Sequence, residues 1–169
     1  MATLAENPLS EGLERLPVHP TTFVIFGATG DLSRRKLLPA VYNLAHDGAL
    51  PERLHLIGFS RSAMSDEEFR GQAEEAIREH SRREVDEGVL GKLLGDVRYV
   101  SGSFDDPEAF GRLDAVAGEF DEHMGTPLNR AYYLSTSPSF FPVVAEQLGA
   151  RGMHQREGAE VRLIVEKPM

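Results

Sequence analysis

The sequence of 169 residues contains no cysteine. Disulfide bonds are therefore excluded, as is any zinc, iron–sulfur or thiolate chemistry that depends on cysteine. No apolar run approaches the roughly 20 residues needed to cross a bilayer, and the N-terminus lacks the apolar segment of a signal peptide. From these absences we expect a soluble, cytoplasmic protein.

Positive charge is also scarce. The chain has 18 lysine and arginine residues against 27 aspartate and glutamate residues, a formal net charge of −9. This balance disfavours non-specific attraction to nucleic acid and to anionic membranes, so we expect neither as a partner. The histidines are scattered with no pair at ligand spacing, and we expect no metal site. They are His19, His46, His55, His80, His123 and His154.

The order of predicted elements indicates an α/β fold. Five short runs of β-branched and aromatic residues alternate with segments of helical periodicity. The predicted strands are Thr22–Phe26, Leu54–Phe59, Val97–Val100, Arg130–Ser135 and Val161–Val165. This alternation predicts a doubly wound, Rossmann-like parallel sheet of at least five strands, arranged as a three-layer α/β/α domain. We assign residues 21–169 to that domain and residues 1–20 to a flexible N-terminal tail.

Two local signals mark helix boundaries. Ser65 followed three residues later by Glu68 is the pattern of a capping box, and it predicts that a helix begins there and runs to about His80. Pro39 interrupts the apolar pattern between Asp31 and His46. Because proline lacks an N–H group, it must lie in a first helical turn or mark a break.

A glycine-rich turn joins the first predicted strand to the helical segment that follows. It reads Gly27-Ala28-Thr29-Gly30-Asp31-Leu32-Ser33. Small residues in this context let the backbone approach a pyrophosphate, and the helix start offers N–H groups with partial positive charge. Thr29 departs from G-x-G-x-x-G. The cations Arg34-Arg35-Lys36 oppose the helix dipole, which a bound anion would explain, although a solvated charge run is the alternative.

The end of the second strand bears on the choice of coenzyme. A domain that selects NAD usually carries Asp or Glu there to accept a hydrogen bond from the ribose 2′-hydroxyl. This sequence has Ser60-Arg61-Ser62 instead. Because an arginine binds phosphate through two charge-assisted hydrogen bonds, Arg61 favours the 2′-phosphate of NADP. The alternative is that Arg61 is an ordinary loop residue.

The turn and the basic stretch with its proline, Gly27 to Ala40, resemble the dinucleotide turn of glucose-6-phosphate dehydrogenase. Four further segments follow in the order found in that family. They are Gly58-Phe59-Ser60-Arg61, Tyr99-Val100-Ser101-Gly102-Ser103-Phe104-Asp105-Asp106, Tyr133-Leu134-Ser135-Thr136-Ser137-Pro138 and Ile164-Val165-Glu166-Lys167-Pro168. The resemblance extends from about Thr22 to the end of the sequence and is highly specific.

This resemblance implies roles for particular residues. The segment Gly27 to Arg34 would surround the pyrophosphate of NADP, and Arg61 would hold its 2′-phosphate. Ser103 and Phe104 would lie near the adenosine half, and Lys167 between the nicotinamide and the sugar. Phe141 stands where some family members have a coenzyme-contacting tyrosine.

The resemblance also implies an activity. The family oxidises glucose 6-phosphate to 6-phosphogluconolactone in the oxidative pentose phosphate pathway, with hydride transfer to NADP. Its members continue into an α+β domain that supplies the sugar-phosphate motif and the catalytic base, and neither is among these residues. Protonated Lys167 cannot act as the base, so we expect NADP binding without turnover. Family members associate through the second domain, which implies an oligomeric parent and allows a monomeric fragment.

Two other classes of function are compatible with the glycine turn. A stand-alone, non-catalytic dinucleotide-binding or regulatory module remains open on the sequence. A short-chain reductase or epimerase requires a Tyr-x-x-x-Lys pair, and no tyrosine in this chain has a lysine four residues later. That class is therefore disfavoured.

Overall fold

The computed structural model describes residues 20–50 and 54–165. Of the predicted N-terminal tail only Pro20 is among them, and Lys167 lies outside the described residues. The strands are β1 (Thr21–Phe26), β2 (Leu54–Ser60), β3 (Arg98–Ser101), β4 (Asn129–Leu134) and β5 (Val161–Val165). The helices are α1 (Leu38–His46), α2 (Asp66–His80), α3 (Glu87–Leu94), α4 (Pro107–Met124) and α5 (Phe141–Ala150).

The five strands form one parallel sheet in the order β3-β2-β1-β4-β5. The chain builds outward from β1 to β3 and then returns to place β4 on the other side of β1. Strand order therefore reverses between β1 and β4, which is where open α/β sheets leave a crevice at their carboxyl edge. The predicted doubly wound α/β fold is confirmed.

Both faces of the sheet are covered, which gives the three layers. Phe23 and Ile25 of β1 pack with side chains of α1, α2 and α3 in one apolar cluster. Val24 and Phe26, which point to the opposite face, pack with α4 and α5 in a second cluster. Since successive side chains of a strand alternate between faces, burial on both sides explains the continuous apolar run of β1.

Pro39 lies in a helical path that is continuous but locally widened. The chain becomes helical at Asp31, passes through a π-helical turn at Ser33–Leu37 and continues into α1. Leu38 N–H donates to the carbonyl of Ser33, five residues earlier. A proline ring clashes with the carbonyl four residues before it in a regular α-helix, and the wider turn relieves that clash. Pro39 thus lies in the first turn of α1, as predicted, without a break.

The predicted capping box is present at the start of α2. The Glu68 N–H donates to Ser65 Oγ, and the Ser65 N–H donates to Glu68 Oε1, both at 3.1 Å. The apolar side chains that this helix buries are those of Phe69, Ala73, Ala76 and Ile77. Among them Phe69 packs against β2 at Gly58, where a side chain would occupy the space of the ring.

At the amino end of β4, an arginine is held in an ion-pair cluster. Arg130 is 4% exposed and donates to Asp114 at 2.8 Å and to Asp121 at 3.2 Å, both on α4. Arg156 also donates to Asp121, at 2.6 Å. A buried guanidinium needs such partners, and the cluster joins the segment before β5 to α4 and β4.

Little apolar surface remains exposed in the described part of the chain. Leu163 and Val165 of the edge strand β5 are 46% and 48% exposed, and Phe140 is 38% exposed. No helix in residues 20–50 or 54–165 is long and apolar enough to cross a membrane.

The packing of Phe69 on β2 can be tested with Gly58→Ala. The new Cβ would lie 2.5 Å from Phe69 Cζ, so the ring must move. We expect a loss of about 1–3 kcal/mol in the free energy of unfolding, or roughly 3–10 °C in Tm. Gly71→Ala is the control, because Gly71 lies within α2 with nothing near its Cβ position. It should raise stability by about 0.5–1 kcal/mol. Equal stability of the two variants would contradict this account.

Candidate functional site

A cleft of about 650 Å³ lies at the carboxyl edge of the sheet, where the order of the strands reverses. Its size is within the usual range for small-molecule and coenzyme sites. It is formed by the segments that follow β1, β2, β3 and β4. The lining residues are Gly27, Thr29, Gly30, Asp31, Leu32, Ser60, Arg61, Ser62, Phe104, Ser135, Thr136, Ser137 and Phe140.

The turn after β1 requires glycine at its first position. Gly27 has φ +83°, and a Cβ there would overlap the carbonyl oxygen of Ser135 after β4. The N–H groups of Gly27 and Ala28 donate to the Phe59 carbonyl at 2.9 and 3.2 Å, and Ser135 N–H donates to the Phe26 carbonyl at 2.9 Å. The turn is therefore tied to the strands on both sides of β1.

The helical path begins at the floor of the cleft. Asp31 and Leu32 are its first residues and both line the cleft. The N–H groups of a first helical turn have no partner within the helix and carry partial positive charge, a combination suited to an anion. Ala28 and Ser33 do not line the cleft and are buried. Ser33 is 0% exposed, so its position admits little bulk.

The three cations after the turn lie on the protein surface. Arg35 forms an ion pair of 2.7 Å with Asp31, which is one of the residues that line the cleft. Arg34 and Lys36 are exposed and are not among the residues that line it. The structure thus brings Gly27, Thr29, Gly30, Asp31 and Leu32 to the cleft, but not Arg34.

Arg61 lies at the end of β2 with its side chain exposed. Among residues 20–50 and 54–165, no carboxylate lies within 4 Å of its guanidinium. Its neighbours Ser60 and Ser62 also line the cleft. A hydrogen bond of 2.7 Å between Thr29 Oγ1 and Ser60 Oγ joins the turn after β1 to the loop after β2. This side of the cleft therefore offers hydroxyl groups and one cation without a carboxylate partner.

Two aromatic rings form the apolar part of the cleft. Phe104 follows β3 and packs edge-to-face against Phe140, with ring centroids 5.3 Å apart. Ser103 is exposed and does not line the cleft. Of the two adjacent phenylalanines near α5, Phe140 is the one in the cleft, whereas Phe141 packs against the apolar core.

Some cleft residues had no predicted role. Ser135, Thr136 and Ser137 belong to a segment that carried the family resemblance, and their position after a predicted strand was a usable signal. Nothing in the sequence selects Phe140 over Phe141, because a short 3₁₀ turn at Pro138–Phe140 sets the direction of each ring. Lys167 lies outside the described residues, so its place relative to the cleft stays a prediction.

The chemistry of the cleft suits a phosphorylated, sugar-containing ligand. It combines helix-start N–H groups, several hydroxyl groups, a guanidinium and two aromatic rings. Among residues 20–50 and 54–165, no group of three or more histidine, aspartate or glutamate side chains could hold a metal ion. Together with the strand order 3-2-1-4-5, these features define a domain of the Rossmann-like, dinucleotide-binding class.

Comparison with known proteins identifies the family within that class. The family model described as glucose-6-phosphate dehydrogenase, NAD binding domain, matches residues 24–169, and the chain belongs to this family. The chain is therefore a nicotinamide dinucleotide-binding domain. It is 40% identical over 166 residues to glucose-6-phosphate 1-dehydrogenase 2 of Mycobacterium tuberculosis, a match covering 96% of this chain and 32% of the relative. The enzyme of Chlamydia muridarum is 38% identical over 154 residues, covering 88% and 30% respectively.

Solved structures agree with this assignment. A glucose-6-phosphate dehydrogenase in complex with its substrate glucose 6-phosphate superposes with a TM-score of 0.76 at 32% identity, covering 89% of this chain and 31% of that one. The enzyme from Mycobacterium avium gives a TM-score of 0.73 at 28% identity, covering 88% and 30%. The chain thus spans between 30% and 32% of the length of these relatives and structures.

The requirement for glycine at the first position of the turn after β1 can be tested with Gly27→Ala. A side chain there would overlap Ser135 and would hold alanine at a positive φ, so we expect at least a tenfold loss of affinity for both NADP and NAD in calorimetric titration. Gly125→Ala is the matched control, because Gly125 also has a positive φ of 72° but has open space around it at the end of α4. It should lose about 1–2 kcal/mol of stability and bind both dinucleotides within twofold of the unmodified chain. Unchanged binding of both dinucleotides by Gly27→Ala would show that the turn after β1 is not part of the binding site.

Proposed function

We propose that this chain binds NADP in the cleft and serves as the coenzyme domain of an enzyme that oxidises glucose 6-phosphate to 6-phosphogluconolactone. The observation that carries the proposal is the arrangement of two anion-binding features on neighbouring strands. These are the glycine turn with its helix start after β1, and Arg61 after β2. The family membership supports the same function.

The pyrophosphate is assigned to the turn after β1. Gly27, Thr29, Gly30, Asp31 and Leu32 line the cleft there, and the helix start supplies N–H donors and partial positive charge. Ala28 and Ser33 make no lining contact, but their small buried side chains permit the turn to pack closely on the sheet. Arg34, which is exposed beside the turn, adds positive charge near the pyrophosphate rather than a lining contact.

The 2′-phosphate is assigned to Arg61. Its guanidinium has no carboxylate within 4 Å among the described residues, so it is available for a bidentate contact with phosphate. No carboxylate follows β2 to accept a hydrogen bond from an unmodified 2′-hydroxyl, because the residues there are Ser60, Arg61 and Ser62. The adenosine half would lie toward the loop after β3, where Phe104 and Phe140 provide an apolar surface.

The sugar substrate is assigned to the far side of the nicotinamide. The coenzyme, when bound, supplies the hydride acceptor of the reaction. Lys167 would hold the substrate and nicotinamide in position with its positive charge and N–H donors, and the base that accepts the hydroxyl proton would come from residues other than these 169. The related structure described with bound glucose 6-phosphate supports this substrate. We expect the full-length protein to be a homo-oligomer.

A stand-alone, non-catalytic dinucleotide-binding module is the second candidate. The exposed apolar side chains of Leu163 and Val165 on β5 favour the first candidate, because they leave a surface that a further domain would cover. The coding sequence of the parent decides between the two candidates. It continues into the sugar-phosphate motif only if the enzyme proposal is right.

The assignment of the 2′-phosphate predicts a selective effect of Arg61→Ala. Charged hydrogen bonds contribute about 1.5–3 kcal/mol, so the Kd for NADP should rise by tens of fold while that for NAD stays within about twofold. Calorimetric titration of the purified chain with each coenzyme measures both. Arg82→Ala removes the same charge from an exposed position outside the cleft and should leave both values unchanged. An equal loss for NADP and NAD would refute the assignment.

We assign the base that accepts the hydroxyl proton to residues other than these 169. We therefore expect no oxidation of glucose 6-phosphate by the chain alone. The purified 169-residue chain, mixed with NADP and glucose 6-phosphate, should give no increase in absorbance at the wavelength of the reduced coenzyme, although NADP binds. The full-length protein is the positive control. Measurable turnover by the chain would show that one of these residues acts as the base.

A further inference from the structure

The loop that carries Arg61 is held from the neighbouring strand by a tyrosine hydroxyl. Tyr99 of β3 donates a hydrogen bond of 2.5 Å to the carbonyl oxygen of Ser62, the residue after Arg61. A carbonyl oxygen can only accept a hydrogen bond, so the Tyr99 hydroxyl is the donor. Tyr99 itself does not line the cleft, so it acts on the ligand only through the loop.

The position of Tyr99 is itself tightly determined. Its backbone N–H donates to Asp66 Oδ1 at 2.7 Å, and its ring packs on Phe69 with centroids 5.3 Å apart. In the sheet it pairs with Gly58, whose missing side chain makes room for Phe69. Because the ring is buried and packed, it fixes the position from which the Tyr99 hydroxyl reaches the Ser62 carbonyl.

A second contact extends the link to the turn after β1. Burial raises the pKa of Tyr99, and a hydrogen bond with the Ser60 side chain offsets part of that rise. The Ser60 hydroxyl also shares a hydrogen bond of 2.7 Å with the Thr29 hydroxyl. The loop from Ser60 to Ser62 is therefore connected to β3 through Tyr99 and to the turn after β1 through Thr29.

We propose that Tyr99 is a positioning residue for coenzyme selectivity, which holds the Ser60–Ser62 loop so that Arg61 meets the 2′-phosphate of NADP. The inference rests on the proposed binding of NADP in the cleft. Tyr99 contributes no contact with the ligand. Its hydroxyl limits the freedom of the loop before binding, so that less conformational entropy is lost when Arg61 engages the phosphate.

Tyr99→Phe tests this directly, because it keeps the ring against Phe69 and removes only the hydroxyl. We expect the Kd for NADP to rise about three- to tenfold, the worth of one hydrogen bond, and the Kd for NAD to change less than twofold. A merely structural role would move both values equally.

Tyr42→Phe is the matched control. The buried Tyr42 hydroxyl also holds a backbone segment, since it accepts from Asp86 N–H at 2.7 Å, but it lies away from the cleft. Its loss should lower Tm by an amount similar to that of Tyr99→Phe and leave both coenzyme affinities unchanged. A Tyr42→Phe variant with the same selective loss of NADP affinity would overturn the inference.

A double-variant cycle separates this inference from the proposed function. If Tyr99 acts through Arg61, the variant with both Arg61→Ala and Tyr99→Phe should bind NADP within twofold of Arg61→Ala alone. Fully additive losses would overturn the role of Tyr99 and leave that of Arg61 intact. If Arg61→Ala itself fails to distinguish NADP from NAD, the 2′-phosphate assignment falls, and the inference on Tyr99 falls with it.

Discussion

The carboxyl edge of the sheet depends on the close approach of two backbone segments between β1 and β4. Gly27 leaves β1 with a positive φ, and the Ser135 carbonyl after β4 occupies the space where a side chain would lie. This contact brings the turn, the helix start and the Ser135–Ser137 segment around one cleft. If the segments were farther apart, the N–H groups of the helix start and the hydroxyl groups after β4 would not face the same ligand.

Charge is used differently at the two ends of the same sheet. At the amino end, Arg130 is buried and is bonded to Asp114 and Asp121, because a guanidinium without water needs carboxylate partners. At the carboxyl end, Arg61 is exposed and has no carboxylate within 4 Å among the described residues. An exposed guanidinium can be hydrated by solvent, and we propose that this one forms two charge-assisted hydrogen bonds with the 2′-phosphate of NADP. Arg130 thus stabilises the fold, whereas Arg61 is the arginine that we assign to the ligand.

The loop that carries Arg61 is supported by residues that do not themselves line the cleft. Gly58 leaves space for Phe69, Phe69 supports the ring of Tyr99, and Tyr99 bonds the loop that carries Arg61. In our proposal, coenzyme preference depends on the packing between β2, β3 and α2 as well as on the guanidinium of Arg61.

Features that arise from local physics could be predicted from the order of the residues. Apolar runs specified the strands, Ser65 with Glu68 specified the start of α2, and the glycine turn and Arg61 indicated a phosphate-containing ligand. Which residues share the cleft follows only from the folded arrangement of the strands and turns. Ser135 and Phe140 reach it, whereas Ser103 and Phe141 do not. That choice depends on strand order and on the direction of short turns between distant segments, and no local pattern of residues encodes either.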